Sequence, residues 1–495
     1  MLLNKAKRRD VGQYVRHLFS YVFKDLNSFH KPLKMIYLTY GDKWLKALEK
    51  EAINYCFRID KSKQGFNMGL INEVKNAVAS KEADAVFFNI YADSDLIEFQ
   101  KKRYLSAIDR FYELYKEEEI EIFSAPGRSE IMGNHTDHQH GEVLCCSINL
   151  DAIAIVHKEN NGIIRVVSGD YPEMTVDIND IELKGDERPN SSSLIKGICA
   201  GLKTRGYAIG GFKAYVTSEV IVGAGLSSSA AFETLIGTIL SHLYNDGKVN
   251  DTEIAMIGQY AENVYFKKPC GLMDQMACSV GNLVHIDFRD DKNPPVEKID
   301  FDLSNAGYSL CITDTKGSHA DLTDEYAAVP KEMKEVAKFF GKEYLIGLTE
   351  NDILNNIKEL REKVSDRAIL RAIHFIRENE RVKEGTDALK KSDVEHFLYL
   401  ISKSGQSSFE YLQNVYTCKD NAHQNVSLAL AVSDGVLDKN SEAFRVHGGG
   451  FAGTIQAFVR NENVANYKRT MEKVFGDNSC HVLKVRKYGG VVVFR

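Results

Sequence analysis

The chain has 495 residues, long for one hydrophobic core, so two domains or two plus an extension are expected. Its net charge of −6 gives no basic field for nucleic acid or an anionic membrane, and a small anionic ligand would need a local positive site. Eight prolines argue against long unstructured linkers, and nine cysteines without a C-x-x-C pair suit a reducing cytosol.

Residues 1–67 are rich in Lys, Tyr and Phe, with poor periodicity and no motif. They read either as a helical extension or as upstream sequence ahead of a translation start at Met68. The charged start, Met1 to Asp10, lacks the apolar segment of a secretory signal, and no apolar run reaches the roughly 20 residues of a membrane helix. A helix pattern begins at Met68, and a charged amphipathic helix over 95–119 leads into a strand at 120–124. A polar loop is expected over 125–141, and a buried strand over 143–156. Strands at 165–168, 174–178 and 211–220 and helices at 192–205, 230–244 and 251–267 follow. Strands near 282–287 and 308–313 bracket Asn293-Pro294-Pro295, read as a domain junction. Residues 328–420 read as mostly helical, and strands return at 454–459 and 481–494.

The 125–141 stretch holds Arg128, Asn134, His135, Asp137, His138 and His140, a density of polar groups that suits a hydroxyl-rich ligand better than a core. The H-x-x-H-x-H spacing could bind zinc but has no Cys or fourth His at metal spacing nearby, so hydrogen bonding is the expected use of these rings. A second motif, Gly223-Ala224-Gly225-Leu226-Ser227-Ser228-Ser229, precedes an apolar helix. Small residues leave backbone N–H groups open, and the helix start adds positive potential, so the segment reads as an anion cradle. It is not a Walker A loop, and an ordinary helix-capping turn has the same composition. A third motif runs Pro269-Cys270-Gly271-Leu272-Met273-Asp274-Gln275, with Glu262 upstream. Its Asp is either a helix cap or a working carboxylate. A fourth, Val446 to Thr454, carries the run Gly448-Gly449-Gly450, which lets backbone approach a ligand or another loop.

In this order the motifs resemble the GHMP small-molecule kinases and, within them, the galactokinase family; the resemblance runs from about Tyr104 to the C-terminus. It implies an α+β, two-domain GHMP kinase fold with the active site in the interdomain cleft. The domains would be 68–300, with the sugar and phosphate loops, and 301–495. It implies phosphoryl transfer from ATP to the C1 hydroxyl of α-D-galactose. Residues 223–229 would cradle the nucleotide phosphates, and Ser229 and Glu262 would hold Mg²⁺. Asp274 would accept the hydroxyl proton beside Arg128. Asn134, His135, Asp137, Gly271 and Tyr326 would bind the sugar. The expected partners are the sugar and ATP, with no nucleic acid and no membrane, the protein acting as a cytoplasmic monomer. An Asp beside an Arg is a weak base, which a loose phosphoryl-transfer transition state tolerates.

The chain departs from the family's usual sugar loop, Gly-Glu-His-Thr-Asp-Tyr-Asn-Gly-Gly. Asn134 stands where that loop has Glu, Ser129-Glu130 where the family has Val-Asn, and Ile221 where it has Pro. An amide loses a charge-assisted bond worth roughly 1.5–3 kcal/mol against about 1 kcal/mol for a neutral one. Another GHMP kinase acting on an amino-sugar or other small alcohol, and a silent galactose- and ATP-binding sensor, are the competing readings. The intact Ser227-Ser228-Ser229-Ala230 run, with Glu262 and Asp274, favours the kinase over the sensor.

Overall fold

Two strands of unusual length, β2 (Glu119–Met132) and β3 (Glu142–Glu159), organise the described residues. The computed structural model describes residues 69–183, 189–221, 225–290, 293–317 and 322–495. The expectations for 1–67, for a start at Met68 and for Gly223 and Ala224 lie outside the described residues. All described elements belong to one compact unit running from Asn67 to Arg495.

In chain order the elements are β1 (Gly69–Leu70), α1 (Ile71–Ala79), α2 (Ala83–Tyr91), α3 (Ile97–Tyr115), β2 (Glu119–Met132), β3 (Glu142–Glu159), β4 (Ile163–Ser168) and β5 (Met174–Asp177). Then come α4 (Ser191–Thr204), β6 (Gly211–Ser218), α5 (Ser228–Asn245), α6 (Asp251–Tyr260), a π-helical turn (Ala261–Tyr265), α7 (Met273–Val280), β7 (Leu283–Asp287) and β8 (Val296–Ile299). The remainder is β9 (Tyr308–Asp314), α8 (Thr323–Phe339), α9 (Glu350–Asn355), α10 (Ile357–Lys363), α11 (Asp366–Lys390), α12 (Val394–Ser407), α13 (Asn425–Val436), β10 (Ala443–His447), β11 (Thr454–Arg460), α14 (Val464–Phe475), β12 (Cys480–Leu483) and β13 (Val491–Phe494).

Nine strands form one sheet with the path β1-β2-β3-β6-β4-β5, to which β13 adds on β2 and the β7–β8 pair on β3. Four strands form an antiparallel sheet in the order β10-β11-β9-β12. Asn293-Pro294-Pro295 lies between β7 and β8, which pair with each other. The passage between sheets therefore comes after β8, not at the Asn-Pro-Pro segment, and β13 returns the C-terminal end to the first sheet.

Side chains alternate faces along β2 and β3. Ile120, Ile122, Ile153 and Ile155 pack on α1–α3 beside Phe87, Tyr104 and Phe111. Phe123, Ala125, Ala152, Ala154 and Val156 pack on α4–α6 with Ile195, Ile236 and Ile257. Both faces are buried, which accounts for the continuous apolar run at 143–156. Beyond Pro126 the same strands continue toward the second sheet, where Met132 and Leu144 meet Leu310, Phe397 and Phe458.

The polar loop expected over 125–141 is a strand as far as Met132. Arg128, Ser129 and Glu130 pair with Ser147, Cys146 and Cys145, with register shifts on either side of this stretch. Bulges re-aim side chains and increase the local twist. The strand escapes an alternation test because its polar side chains are consumed inside the protein instead of facing water.

Asp151 marks the middle of β3 and is completely buried. It accepts from Arg103 Nη1 (2.6 Å), Tyr91 Oη (2.8 Å), Arg486 Nη1 (3.1 Å) and the Ser124 hydroxyl. Burial raises its pKa, but the two guanidinium charges and these bonds outweigh that and hold the carboxyl below its ordinary value. One carboxylate thus ties α2, α3, β2 and the C-terminal segment together. Removing one partner of a buried pair leaves an uncompensated charge. Asp151→Asn and Arg486→Met are each expected to cost about 3–5 kcal/mol in urea unfolding, and the double variant less than the sum. Additive losses would show that the two groups act independently.

Candidate active site

Arg128 on β2 is buried, and its guanidinium grips Asp274 with both arms: Nε to Oδ1 at 2.7 Å and Nη2 to Oδ2 at 2.8 Å. Its third nitrogen, Nη1, donates to the Gly225 carbonyl, and its backbone N–H donates to Leu226 O at 3.1 Å. Gly127 fits here because a Cβ would meet Leu226 O at 2.7 Å. Asp274 sits in the first turn of α7, where Leu272 holds the cap position without a side-chain bond. It is therefore not the helix cap that its sequence position allowed. The apolar face of α7, Met276, Ala277 and Val280, packs on Val143, Cys145, Val284 and Ile286, which fixes the carboxylate's position. Ser227 Oγ also donates to Asp274 Oδ2. Burial works to raise the Asp274 pKa, but the Arg128 charge and the bonds from Arg128 and Ser227 hold it below the usual carboxylate value.

Ser227 precedes α5 in the left-handed region (φ +58°) and makes no side-chain cap. Gly225 is also left-handed, at φ +67°, and Leu226 is buried. The α5 N-terminus therefore opens on the Arg128–Asp274 pair, with Ser228 and Ser229 in its first turn. Ser229 Oγ donates to Glu262 Oε1 at 3.1 Å from the π-helical turn. Lys268 Nζ lies 2.6 Å from the same oxygen, while Gln275 Nε2 reaches Glu262 Oε2 (2.8 Å) and Glu233 Oε2 (3.0 Å). Burial and the neighbouring Glu262 push the Glu233 carboxyl up to about 8. A hydroxyl and a carboxylate side by side are hard oxygen donors, and this pair already attracts a cation, so the residues present fit a Mg²⁺ ion.

The loop at 133–141 is clamped at both ends by α11. Glu378 Oε1 accepts from the Gly133 N–H (3.1 Å), His374 Nε2 meets Asn134 O (2.9 Å), and Asn379 Oδ1 accepts from the Glu142 N–H (2.7 Å). Asn134 is fully buried. Its Nδ2 donates to Gly448 O (2.6 Å) and Glu130 Oε1 (3.2 Å), and its Oδ1 accepts from Asn414 Nδ2 (2.8 Å). In this arrangement Asn134 has little polar capacity left for a sugar; it joins the loop to the glycine run. Glu130, in turn, is paired with the buried Arg445 at 3.0 Å.

His135 takes φ +61° and lies between Gly449 O (Nε2, 3.1 Å) and His138 Nε2 (Nδ1, 3.2 Å). The carbonyl requires the proton on His135 Nε2, so Nδ1 accepts from His138. Burial pushes His135 down to about 4 and His138 well below its ordinary value, which keeps both rings neutral. The third ring, His140, stacks on Tyr344 instead, with centroids 4.0 Å apart. Among the described residues no side chain bonds the Asp137 carboxylate, which accepts from the backbone N–H groups of Asp137 and His138, and Gly271 lies against its Oδ2. Burial raises its pKa, and the nearby Asp274 adds to the effect. Tyr326, on α8, donates to Gly450 O at 2.7 Å, with its ring against Gly449. The glycine run thus joins Asn134, His135 and Tyr326.

Sequence reasoning missed the supports: His374, Glu378 and Asn379 on α11, the Arg445–Glu130 pair, and Gln275, Glu233 and Lys268 around Glu262. His447, between Ser129 Oγ (3.0 Å) and Thr454 Oγ1 (2.9 Å), is another. The available signal was polar residues at helical spacing on an otherwise core-facing helix. Among the described residues, Glu117, His157 and Glu159 are a cluster of three His, Cys, Asp or Glu side chains close enough to share a metal, but Lys213 already bridges both carboxylates. No described helix is long and apolar enough to cross a membrane.

Comparison with known proteins falls on the same segments. Residues 109–158 match the galactokinase galactose-binding signature, and 193–282 match the GHMP kinases N terminal domain. The galactokinase of Glaesserella parasuis is 32% identical over 364 residues, 72% of this chain and 88% of that protein. The galactokinase of Limosilactobacillus reuteri is 28% identical over 74% of this chain and 93% of its own length. The crystal structure of Lactococcus lactis galactokinase complexed with galactose superposes with a TM-score of 0.67 at 24% identity, covering 78% of this chain and 99% of that one. A mevalonate kinase structure shares the fold at a TM-score of 0.52 and 16% identity. The fold is accordingly the α+β GHMP kinase fold, and the chain belongs to the galactokinase family.

Proposed function

We propose that the protein transfers the γ-phosphoryl group of ATP to the C1 hydroxyl of α-D-galactose. Membership of a kinase family carries the use of ATP. The observation that carries the reading is the convergence on Asp274, where Arg128 of β2 and Ser227 of the phosphate loop meet one carboxylate.

The start of α5, with Gly225 to Ser229, faces the nucleotide phosphates; Gly223 and Ala224 complete that loop in sequence. Ser229 and Glu262 hold Mg²⁺, which when bound neutralises phosphate charge. Asp274 takes the hydroxyl proton as the phosphoryl group departs from ATP. Arg128 keeps Asp274 ionised and presents positive charge to the transferring group. Most of the acceleration then comes from positioning and charge neutralisation. Asp137, whose carboxylate has no side-chain partner, accepts from sugar hydroxyls beside Gly271. His135 Nδ1 is a second acceptor once a sugar hydroxyl replaces His138 on its one lone pair. Asn134 and Tyr326 act on the sugar through the glycine run they hold. A monomer working in the cytoplasm, with domains meeting near residue 300, completes the proposal.

Asp274→Asn takes the charge partner from buried Arg128, so it is expected to lower the melting temperature while still folding and binding both ligands, and turnover falls roughly 10²–10⁴-fold. A coupled assay of ADP formation against a panel of hexoses and hexosamines reads this. Near-normal turnover would remove Asp274 from its role, and no sugar-dependent turnover in the unaltered protein would leave a sensor.

The base form of Asp274 is lost as pH falls through its depressed pKa, so the acid limb of kcat/KM lies below the ordinary carboxylate range. Without the guanidinium, burial dominates. Arg128→Met should move the limb up by about one pH unit or more. Limbs at the same pH in both proteins would show that Arg128 does not set this ionisation.

A further inference from the structure

Lys268 has no role in the mechanism above, yet its place is built by the backbone. The π-helical turn ends at Tyr265, Lys267 takes the left-handed conformation (φ +59°), and the Lys268 N–H folds back onto Glu262 O at 3.1 Å. Its side chain then returns to the same residue, with Nζ 2.6 Å from Oε1. That oxygen is the one to which Ser229 donates. The two partners differ in surroundings: the Glu262 side chain is 3% exposed, the Lys268 side chain 58%. The carboxylate is fixed, and its cation can leave into solvent. Opposite, Gln275 holds Oε2, and Glu233 adds an acidic group behind it.

We infer that Lys268 is an internal counter-ion for the metal carboxylate: its ammonium holds Glu262 before the metal arrives and yields the Oε1 contact to Mg²⁺. The inference rests on the reading that Ser229 and Glu262 are the metal-binding pair. Two cations cannot share one carboxylate oxygen at contact distance without strong repulsion. Metal entry therefore requires the ammonium to move, and the metal's apparent affinity includes the free energy of that displacement. Lys268 is a positioning residue in this scheme, since it acts on the site through Glu262.

The test uses the full chain and Mn²⁺ as the probe, followed by electron paramagnetic resonance with ADP present and no sugar, so no turnover is involved. Lys268→Met should bind Mn²⁺ about tenfold more tightly than the unaltered protein, the worth of one charge-assisted hydrogen bond, while Lys268→Arg should restore the weaker binding. The difference should persist at raised ionic strength, because a bonded ion is displaced and not merely screened. The melting temperature of the metal-free Lys268→Met protein should fall, and saturating Mn²⁺ should erase the gap. Equal Mn²⁺ affinity in all three proteins, or a difference that salt abolishes, overturns the inference. If the unaltered protein and both variants bind no Mn²⁺, or Glu262→Gln binds it unchanged, the metal-site reading beneath it fails instead.

Discussion

The bidentate contact between Arg128 and Asp274 is the constraint around which the site is arranged. It joins β2 to α7 across 146 positions of sequence, and Arg128 also reaches the phosphate loop through Gly225 O. None of the three segments could shift alone without leaving a buried charge or carbonyl unpaired, at a cost of about 3–5 kcal/mol for the charge and about 1–3 kcal/mol for the carbonyl. The same contact sets the chemistry. Desolvation at this half-buried position would otherwise move Asp274 toward the protonated form, and the guanidinium holds it ionised. Position and protonation state thus have one physical source.

The sugar-side loop is held by different means. Its backbone is gripped from α11 by His374, Glu378 and Asn379, and its side chains by the glycine run through Asn134 and His135. Glu378 is wholly buried, and burial would raise its pKa. The Arg381 charge and the Ser404 hydroxyl outweigh burial and hold it well below the carboxylate range. The loop is therefore rigid at its ends and leaves Asp137 open at its centre. The exchange at positions 130 and 134 is intelligible here. Where the usual loop has Asn and then Glu, this chain has Glu and then Asn, and the two side chains touch at 3.2 Å. A carboxylate is thus kept in the same pocket but supplied from four residues earlier, at the end of β2, beside Arg445.

Much of this was legible in the sequence because chemistry leaves marks at short range. The serine run before an apolar helix, the glycines at 448–450 and the Asp after Cys-Gly-Leu-Met are local patterns, and each falls at the site. The strand through Arg128 was not legible, since its polar residues spoil the alternation that marks a half-buried strand. Nor was the change of sheet, because Asn293-Pro294-Pro295 is a strong turn signal whether it joins sheets or closes a pair of strands. The α11 supports were hidden for a third reason. His374 and Glu378 lie one helical turn apart on a helix that buries Ala372, Phe375 and Ile376 on its other sides, so their spacing marks a polar stripe but not its partner, a loop over 200 residues away.

The distribution of charge follows the same division. Asp137, Asp274, Glu262 and Glu233 form an acidic group at the proposed site of a triphosphate. The protein offsets this in separate ways. Asp274 is neutralised permanently by Arg128, whose partner is held at both oxygens. Glu233 is pushed toward its protonated form by burial and by Glu262. Glu262 alone is balanced by an exposed, movable cation. A permanent counter-ion suits the proposed proton acceptor, whose ionisation must not change. A replaceable one suits a carboxylate whose proposed partner enters with the nucleotide and leaves with it.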